Sequence, residues 1–402
     1  MLPLLTAGIY REKDFSAFLL AMLVCLVVGV PLTRKKPKNK VFYIKDGCVA
    51  VALSWLALCI FGAIPFVASG CIPHPIDALF ETVSGFTTTG SSILTDVEVL
   101  PHCILIWRSF THWIGGMGVL VFLLSLLPLA GGYHMNLMKA ESPGPSVSKL
   151  VPKVQSTAKI LYTIYFGMTL IQLALLLIGR VPLFDSLCIT FGTAGTGGFG
   201  IVNDSLGSYS TYCQVVTTIF MILFGVNFSA YYLILTKKFR QAFKYEEVRY
   251  YFGIIAVAIM IIALNTAHLF RNLLTAFQQA AFQVGSIITT TGFSSTDFNQ
   301  WPALSKTVLV LLMFVGACAG STGGGIKVSR ILILLKTVKK ELIQLLHPRS
   351  VRRIQIDGKA IEHEVVRSTN VYMGVYIFIF AFSMLLIALN NFDLITNFSA
   401  VA

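Results

Sequence analysis

Long apolar stretches separated by short polar segments run the length of the chain, near residues 15 to 32, 46 to 69, 103 to 130, 157 to 180, 211 to 236, 250 to 270, 304 to 336 and 369 to 390. Each reaches the roughly 20 residues that a helix needs to cross about 30 Å of hydrocarbon. The stretch from 304 to 336 is broken in its middle by glycines, and the first is a retained helix, since Arg11, Lys13 and Asp14 precede it and no small-residue cleavage site follows. Between paired stretches lie shorter apolar runs, each ending in a polar segment: Thr87-Thr88-Thr89-Gly90, Gly195-Thr196-Gly197-Gly198 and Thr289-Thr290-Thr291-Gly292. Counting thirteen residues back from Gly90, Gly198 and Gly292 lands on Asp77, Asp185 and Gln279, so the repeat is a half-length helix followed by a polar loop.

This pattern predicts an all-α polytopic membrane protein made of helix, pore-helix, helix units around a central ion pore, like a potassium channel. Residues 1–44 form an N-terminal membrane helix and basic loop, 45–130 the first repeat, 131–153 a proline-containing cytoplasmic linker and 154–236 the second repeat. Residues 237–248 are a basic cytoplasmic loop, 249–345 the third repeat with its broken inner helix, and 346–402 a cytoplasmic segment and the start of a fourth. In that last part His347-Pro348-Arg349 marks a helix end, Asp357-Gly358 a turn, and Phe392 to Phe398 another half helix.

Composition agrees: 55% of the 402 residues are apolar and 12% charged, against about a quarter charged in soluble domains. The net charge of +13 comes from loops between spans. Arg34 to Lys45, Lys237 to Arg249 and Lys327 to Arg367 hold most of it, which makes them cytoplasmic and removes the case for a nucleic acid partner. Residues 70–101, 181–206 and 272–302 have no Lys or Arg, so the half helices and polar loops face outward. Asp77, Glu81, Asp96, Glu98, Asp185, Asp204 and Asp297 lie there, either as a negative face that concentrates cations or as a by-product of excluding bases. The eight Cys show no paired spacing and read as small buried side chains, with Cys71 and Cys103 the one outer pair; the seven His form no metal-ligand spacing.

Non-helical backbone at membrane depth is tolerated only inside protein or along water. A selectivity filter uses that situation, aiming carbonyl oxygens and Thr hydroxyls at a dehydrated cation. The half helices would point their negative C-terminal ends at the axis, and the absence of charged side chains in the loops favours a monovalent ion over Ca²⁺ or Mg²⁺. One such loop could equally serve close helix packing; three at matched offsets point to a pore. A second glycine segment, Cys318-Ala319-Gly320-Ser321-Thr322-Gly323-Gly324-Gly325, interrupts the third unit's inner helix just below the filter, either as a mobile gate or as a static kink. Arg108 and Lys327 lie within or at the ends of spans and read as snorkelling cations or as buried functional charges, and His112 as a packed polar residue.

The segments Ser84-Gly85-Phe86-Thr87-Thr88-Thr89-Gly90, Gly195-Thr196-Gly197-Gly198-Phe199, Thr290-Thr291-Gly292-Phe293 and Gly320-Ser321-Thr322-Gly323-Gly324-Gly325-Ile326-Lys327 resemble the TrkH/KtrB family of potassium uptake proteins, and Trp113-Ile114-Gly115-Gly116-Met117-Gly118 with the extra N-terminal helix favours its TrkH branch. The resemblance implies four repeats around one pore, a multi-pass homodimer in the lipid of the bacterial inner membrane, and a cytoplasmic nucleotide-binding regulatory subunit resembling TrkA. K⁺ is then the transported ion, held at Thr88, Thr89, Thr196, Gly197, Thr290 and Thr291, with no organic cofactor and no enzymatic reaction. Relative to that pattern the fourth filter segment and a last helix are missing, and Met1-Leu2-Pro3-Leu4 resembles the tail of an earlier helix. The competing expectations are a non-conducting fragment, a coupled cation symporter with broken helices, and a membrane enzyme, which lacks any converging catalytic cluster.

Overall fold

The structure is a computed structural model that describes residues 1–34, 44–118, 154–349 and 353–402. Residues 35–43 of the first basic loop, 119–130 of the first inner span and the linker at 131–153 lie outside the described residues. Helices α1 (Leu2–Tyr10) and α2 (Phe15–Arg34) precede the repeats. Unit one is α3 (Ile44–Ser69), the half helix α4 (Pro75–Phe86) and α5 (His102–Gly116). Unit two is α6 (Val154–Ile178), the half helix α7 (Leu183–Ala194), α8 (Thr211–Phe224) and α9 (Phe228–Leu235), followed by the short α10 (Phe239–Ala242). Unit three is α11 (Glu246–Thr266), the half helix α12 (Leu273–Ile288), α13 (Ala303–Val315) and α14 (Val328–Leu346). A small antiparallel hairpin, β1 (Gln355–Ile356) and β2 (Lys359–Ala360), turns at the expected Asp357-Gly358 and leads to α15 (His363–Ala388) and α16 (Leu394–Val401).

Among the described residues five helices are long and apolar enough to cross a membrane, and α8 with α9 would make a sixth. The half helices start where the sequence supplies a first-turn proline or a cap. Pro75 opens α4, Pro182 precedes α7, and Asn272 accepts from the Thr275 N–H at 2.8 Å to cap α12. Asp77 and Asp185 fall in first turns as counted, whereas α12 begins at Leu273 and carries Gln279 in its middle.

The inner helix expected to run unbroken from 211 to 236 is bent by 94° between α8 and α9. Gly225 ends the first half, and Asn227 starts the second by accepting from the Ser229 N–H at 2.8 Å. Backbone groups released at the bend are used by unit three: the Cys318 N–H donates to the Gly225 carbonyl at 3.0 Å and the Phe228 N–H to that of Gly320 at 2.9 Å. This is the form in which a broken helix is affordable in a membrane. The units also share apolar cores, since Phe282 of α12 packs among Tyr165, Phe224 and Phe293. Peripheral helices are apolar outward; α15 buries only Thr369 and presents Ile377, Phe378 and Leu385 to its surroundings, as a lipid-facing helix does.

Candidate ion pathway

The three polar loops share one backbone conformation. Thr88, Thr196 and Thr290 have φ of 56°, 53° and 59°, and two residues later Gly90, Gly198 and Gly292 have φ of 79°, 77° and 85°. A threonine in the left-handed region costs about 1–3 kcal/mol, so its recurrence at the same place in three units marks a conformation held by the surroundings. Equivalent bonds hold it. The Thr89, Gly197 and Thr291 N–H groups return to the carbonyls of Ser84, Gly192 and Ser286 at 2.9, 2.9 and 2.8 Å. Each half helix therefore delivers its C-terminal end into its loop, where a left-handed Thr and a left-handed Gly flank one residue of ordinary handedness.

The loops also meet. A Cβ placed on Gly90 would overlap the Gly197 carbonyl oxygen, and one on Gly198 would overlap that of Thr291, so unit one abuts unit two and unit two abuts unit three at the same level. Thr87, Thr89, Thr289 and Thr291 are committed locally, through Thr87 to Thr89 and Thr289 to Thr291 hydroxyl pairs at 2.8 and 2.7 Å, and Thr196 reaches both Gly195 and Thr322 carbonyls.

The helix break expected in unit three is present as the segment 316–327 between α13 and α14. It lies against two of the three polar loops rather than apart from them. The Gly324 N–H donates to the Thr290 hydroxyl at 2.7 Å, the Thr322 carbonyl accepts from the Thr196 hydroxyl at 3.0 Å, and the Ser321 hydroxyl closes a turn on the Cys318 carbonyl at 2.6 Å. Cys318 is fully buried and the Ala319 N–H is held by a carboxylate of α11.

Of the two readings open for Arg108 and Lys327, the structure selects burial. Arg108 does not snorkel: it is 2% exposed and its Nε contacts the Glu81 carboxylate at 2.7 Å, while its two other nitrogens reach the Gly200 carbonyl at 3.2 Å and the Ser92 hydroxyl at 3.1 Å. Its guanidinium also lies 4.2 Å over the Phe199 ring. Glu81 is consequently not part of an outer negative face but half of a buried ion pair. Lys327 is also buried, its ammonium donating to the Gly323 carbonyl. His112 is packed as expected, stacked on Phe199 with centroids 4.2 Å apart, and it stands directly behind Gly197, where a Cβ would overlap its ring. Cys71 and Cys103 are free thiols.

Several outer acidic groups serve as fasteners. Asp96 accepts from the Asn203 amide and Glu98 from the Asn203 N–H, both at 2.9 Å, joining the outer loops of units one and two. Glu12 caps α5 from outside it, accepting from the His102 and Cys103 N–H groups at 2.7 and 2.9 Å where Pro101 offers no side-chain cap. Burial pushes the Glu12 carboxyl up, but these hydrogen bonds outweigh it and hold it below the ordinary value of 4.5. A depressed carboxyl stabilises the fold fully above its unfolded value and loses that contribution as pH falls through the folded one. Glu12→Gln should cost about 1 kcal/mol near neutral pH, the order of a lost helix cap, and should flatten the loss of stability below pH 4.5. Thermal unfolding in detergent at two pH values checks this; equal acid sensitivity of both proteins would count against the cap.

Repeated helix, half-helix, helix units that bring matched left-handed loops together define an all-α, multi-pass membrane protein of pore-loop architecture. Residues 14–402 match the family model for TrkH, described as a cation transport protein. The Trk system potassium uptake protein TrkH of Salmonella typhimurium is 34% identical over 411 residues, covering 100% of this chain and 84% of its own length. An uncharacterized cation transporter of Methanocaldococcus jannaschii is 30% identical over 408 residues, with 100% and 82% covered. The crystal structure of the potassium transporter TrkH from Vibrio parahaemolyticus superposes with a TM-score of 0.87 at 31% identity, over 99% of this chain and 84% of that one. The chain belongs to the TrkH family of cation transport proteins.

Proposed function

We propose that this protein is the membrane subunit of a potassium uptake system, passing K⁺ between the loops 87–90, 195–198 and 289–292 as a selectivity filter. The observation that carries the reading is the threefold alternation of left-handed Thr and Gly at matched positions behind matched half helices. Residues with alternating handedness turn successive carbonyls to one side, and neutral carbonyl and hydroxyl ligands suit a monovalent cation. Potassium uptake is also what the names of the TrkH relatives state of those proteins. Membership of a transport family favours translocation over catalysis, and the relatives' bacterial sources support the inner membrane as its place. A homodimer and a cytoplasmic nucleotide-binding regulator of the TrkA kind complete the reading, with the long basic segment after α14 as the cytoplasmic face.

Rubidium uptake into cells stripped of their own potassium uptake tests this, with sodium as competitor; cells that gain no uptake although the protein reaches the membrane would refute it. On the same reading segment 316–327 lies across the ion path as its gate. A Cβ on Gly323 would come within 2.5 Å of the Ala317 Cβ and 2.9 Å of the Thr289 carbonyl oxygen, so Gly323→Ala must displace the segment or the filter loop beside it. Uptake should change by about tenfold, the effect of a displacement costing about 1.4 kcal/mol; unchanged uptake at normal expression would remove segment 316–327 from the pathway.

A further inference from the structure

Two neighbouring carboxylates at the start of α11 face opposite ways. Glu247 points inward, is 7% exposed, and accepts on one oxygen from the Ala319 N–H at 2.7 Å and from the Ser329 N–H at 3.1 Å. Ser329 is the second residue of α14, and Lys327 at that helix's N-cap position supplies no side-chain cap. A cation there is the wrong type for a helix N-terminus, and Glu247 supplies the anion from another helix. Glu246 points the other way, toward α14 and the hairpin. Its carboxylate contacts Lys336 of α14 at 2.5 Å, and the same ammonium donates to the Gln355 carbonyl of β1 at 2.7 Å. The Glu246 N–H donates to the Asp357 carboxylate at 2.6 Å, so the hairpin turn caps α11, which has no side-chain cap of its own. The bonds form a closed circuit: hairpin to α11, α11 to both ends of the first half of α14, and α14 back to the hairpin.

We infer that this circuit is a clasp through which the cytoplasmic hairpin sets the position of segment 316–327, with Glu247 as the positioning residue on the segment side and the Glu246–Lys336 pair as the part that opens. The inference rests on the reading of that segment as the gate. Glu247 holds Ala319 within segment 316–327 and Ser329 just beyond it, and Asp357 and Lys336 fix the first turn of α11 that carries Glu247. A cytoplasmic partner that takes up Asp357 or Lys336 therefore loosens the segment without touching the membrane interior. The arrangement has the features of a switch: a partly exposed ion pair as the trigger and a glycine-rich element as the part that moves.

The test uses the full-length protein in cell membranes, with Cys318 as the sole cysteine and two readouts, rubidium uptake and labelling of Cys318 by a small thiol reagent added from the cytoplasmic side. Cys318 is fully buried in the clasped state. Lys336→Glu should raise both uptake and labelling about threefold to fivefold, the shift a partly exposed ion pair can control, and the exchange Glu246→Lys with Lys336→Glu should return both toward the parent. Lys336→Met provides the same opening without added repulsion if the charge reversal fails to accumulate. Parent-like uptake and labelling in both Lys336 variants, or an effect that the exchanged pair does not reverse, would overturn the clasp. Gly323→Ala in the same membranes separates the two claims: altered uptake there with inert Lys336 variants removes the clasp and leaves the gate, whereas unaltered uptake removes the gate itself.

Discussion

Gly198→Ala should abolish selective uptake while leaving the protein in the membrane. Gly198 has φ of 77°, where an Ala costs about 1–2 kcal/mol, and its Cβ would overlap the Thr291 carbonyl oxygen of the next loop. The backbone penalty alone is worth about tenfold in the population of the native loop, and the overlap adds to it, because the obstacle is backbone and not a side chain that can rotate away. The loops of units two and three must separate, and carbonyls that replace a hydration shell lose their spacing. Rubidium uptake should fall about tenfold or more, and sodium should compete as well as potassium. Gly292→Ser makes the informative contrast. A Cβ there meets nothing within 4 Å, although φ is 85°, so only the backbone penalty applies, and a loosened preference for potassium over sodium with retained uptake is expected. Equal behaviour of the two variants, or wild-type selectivity in Gly198→Ala, would show that the loops do not line the ion path.

How much of this was visible in the residues follows from what kind of signal each feature leaves. The half helices and their loops were legible because Gly and Thr recur at fixed offsets inside apolar sequence, and the break at 316–327 because five glycines fall within ten residues. The bend at Gly225-Val226-Asn227 was not. A single Gly-x-Asn in a run as apolar as Thr211 to Thr236 leaves hydropathy unchanged, and its cause lies in partners contributed by Cys318 and Gly320, far along the chain. The pairing of Glu81 was hidden for a related reason. Residues 70–101 contain no Lys or Arg, so no partner for Glu81 was in view; it enters from the second turn of the next helix, 27 positions away. Windowed hydropathy reports how deep a residue lies and not which residue faces it. Lys327 shows the same limit: its place at a helix end suggested snorkelling, yet the adjoining glycine segment leaves room for it to turn inward to the Gly323 carbonyl. The clasp at Glu246 and Glu247 gave no signal, since adjacent acids beginning a helix are commonplace.

Removing the Arg108 side chain should be among the most damaging single changes outside the three polar loops, and the reason is electrostatic before it is steric. Arg108→Leu would leave the Glu81 carboxylate, whose side chain is fully buried, without its counter-charge, at a cost of about 3–5 kcal/mol. Glu81 would keep only the Ser92 hydroxyl at 3.0 Å and the Ile93 N–H at 3.0 Å. Replacing both residues, Glu81→Leu with Arg108→Leu, should recover most of that stability, since a buried pair repays its desolvation only in part. It should not recover uptake. The guanidinium uses three nitrogens on three elements, the half helix α4 through Glu81, the outer loop of unit one through Ser92, and the backbone just after the second polar loop through Gly200. No apolar pair reproduces that triangulation, and Arg108→Lys, with one compact ammonium, cannot span it either. Thermal unfolding in detergent, set beside rubidium uptake for the two single variants and the double, separates the roles. Low stability and low uptake in Arg108→Leu, with stability restored and uptake still low in the double variant, is the expected result. Restoration of both together would reduce the pair to a fold stabiliser, and loss of neither in Arg108→Leu would mean that Glu81 does not carry its charge in that position.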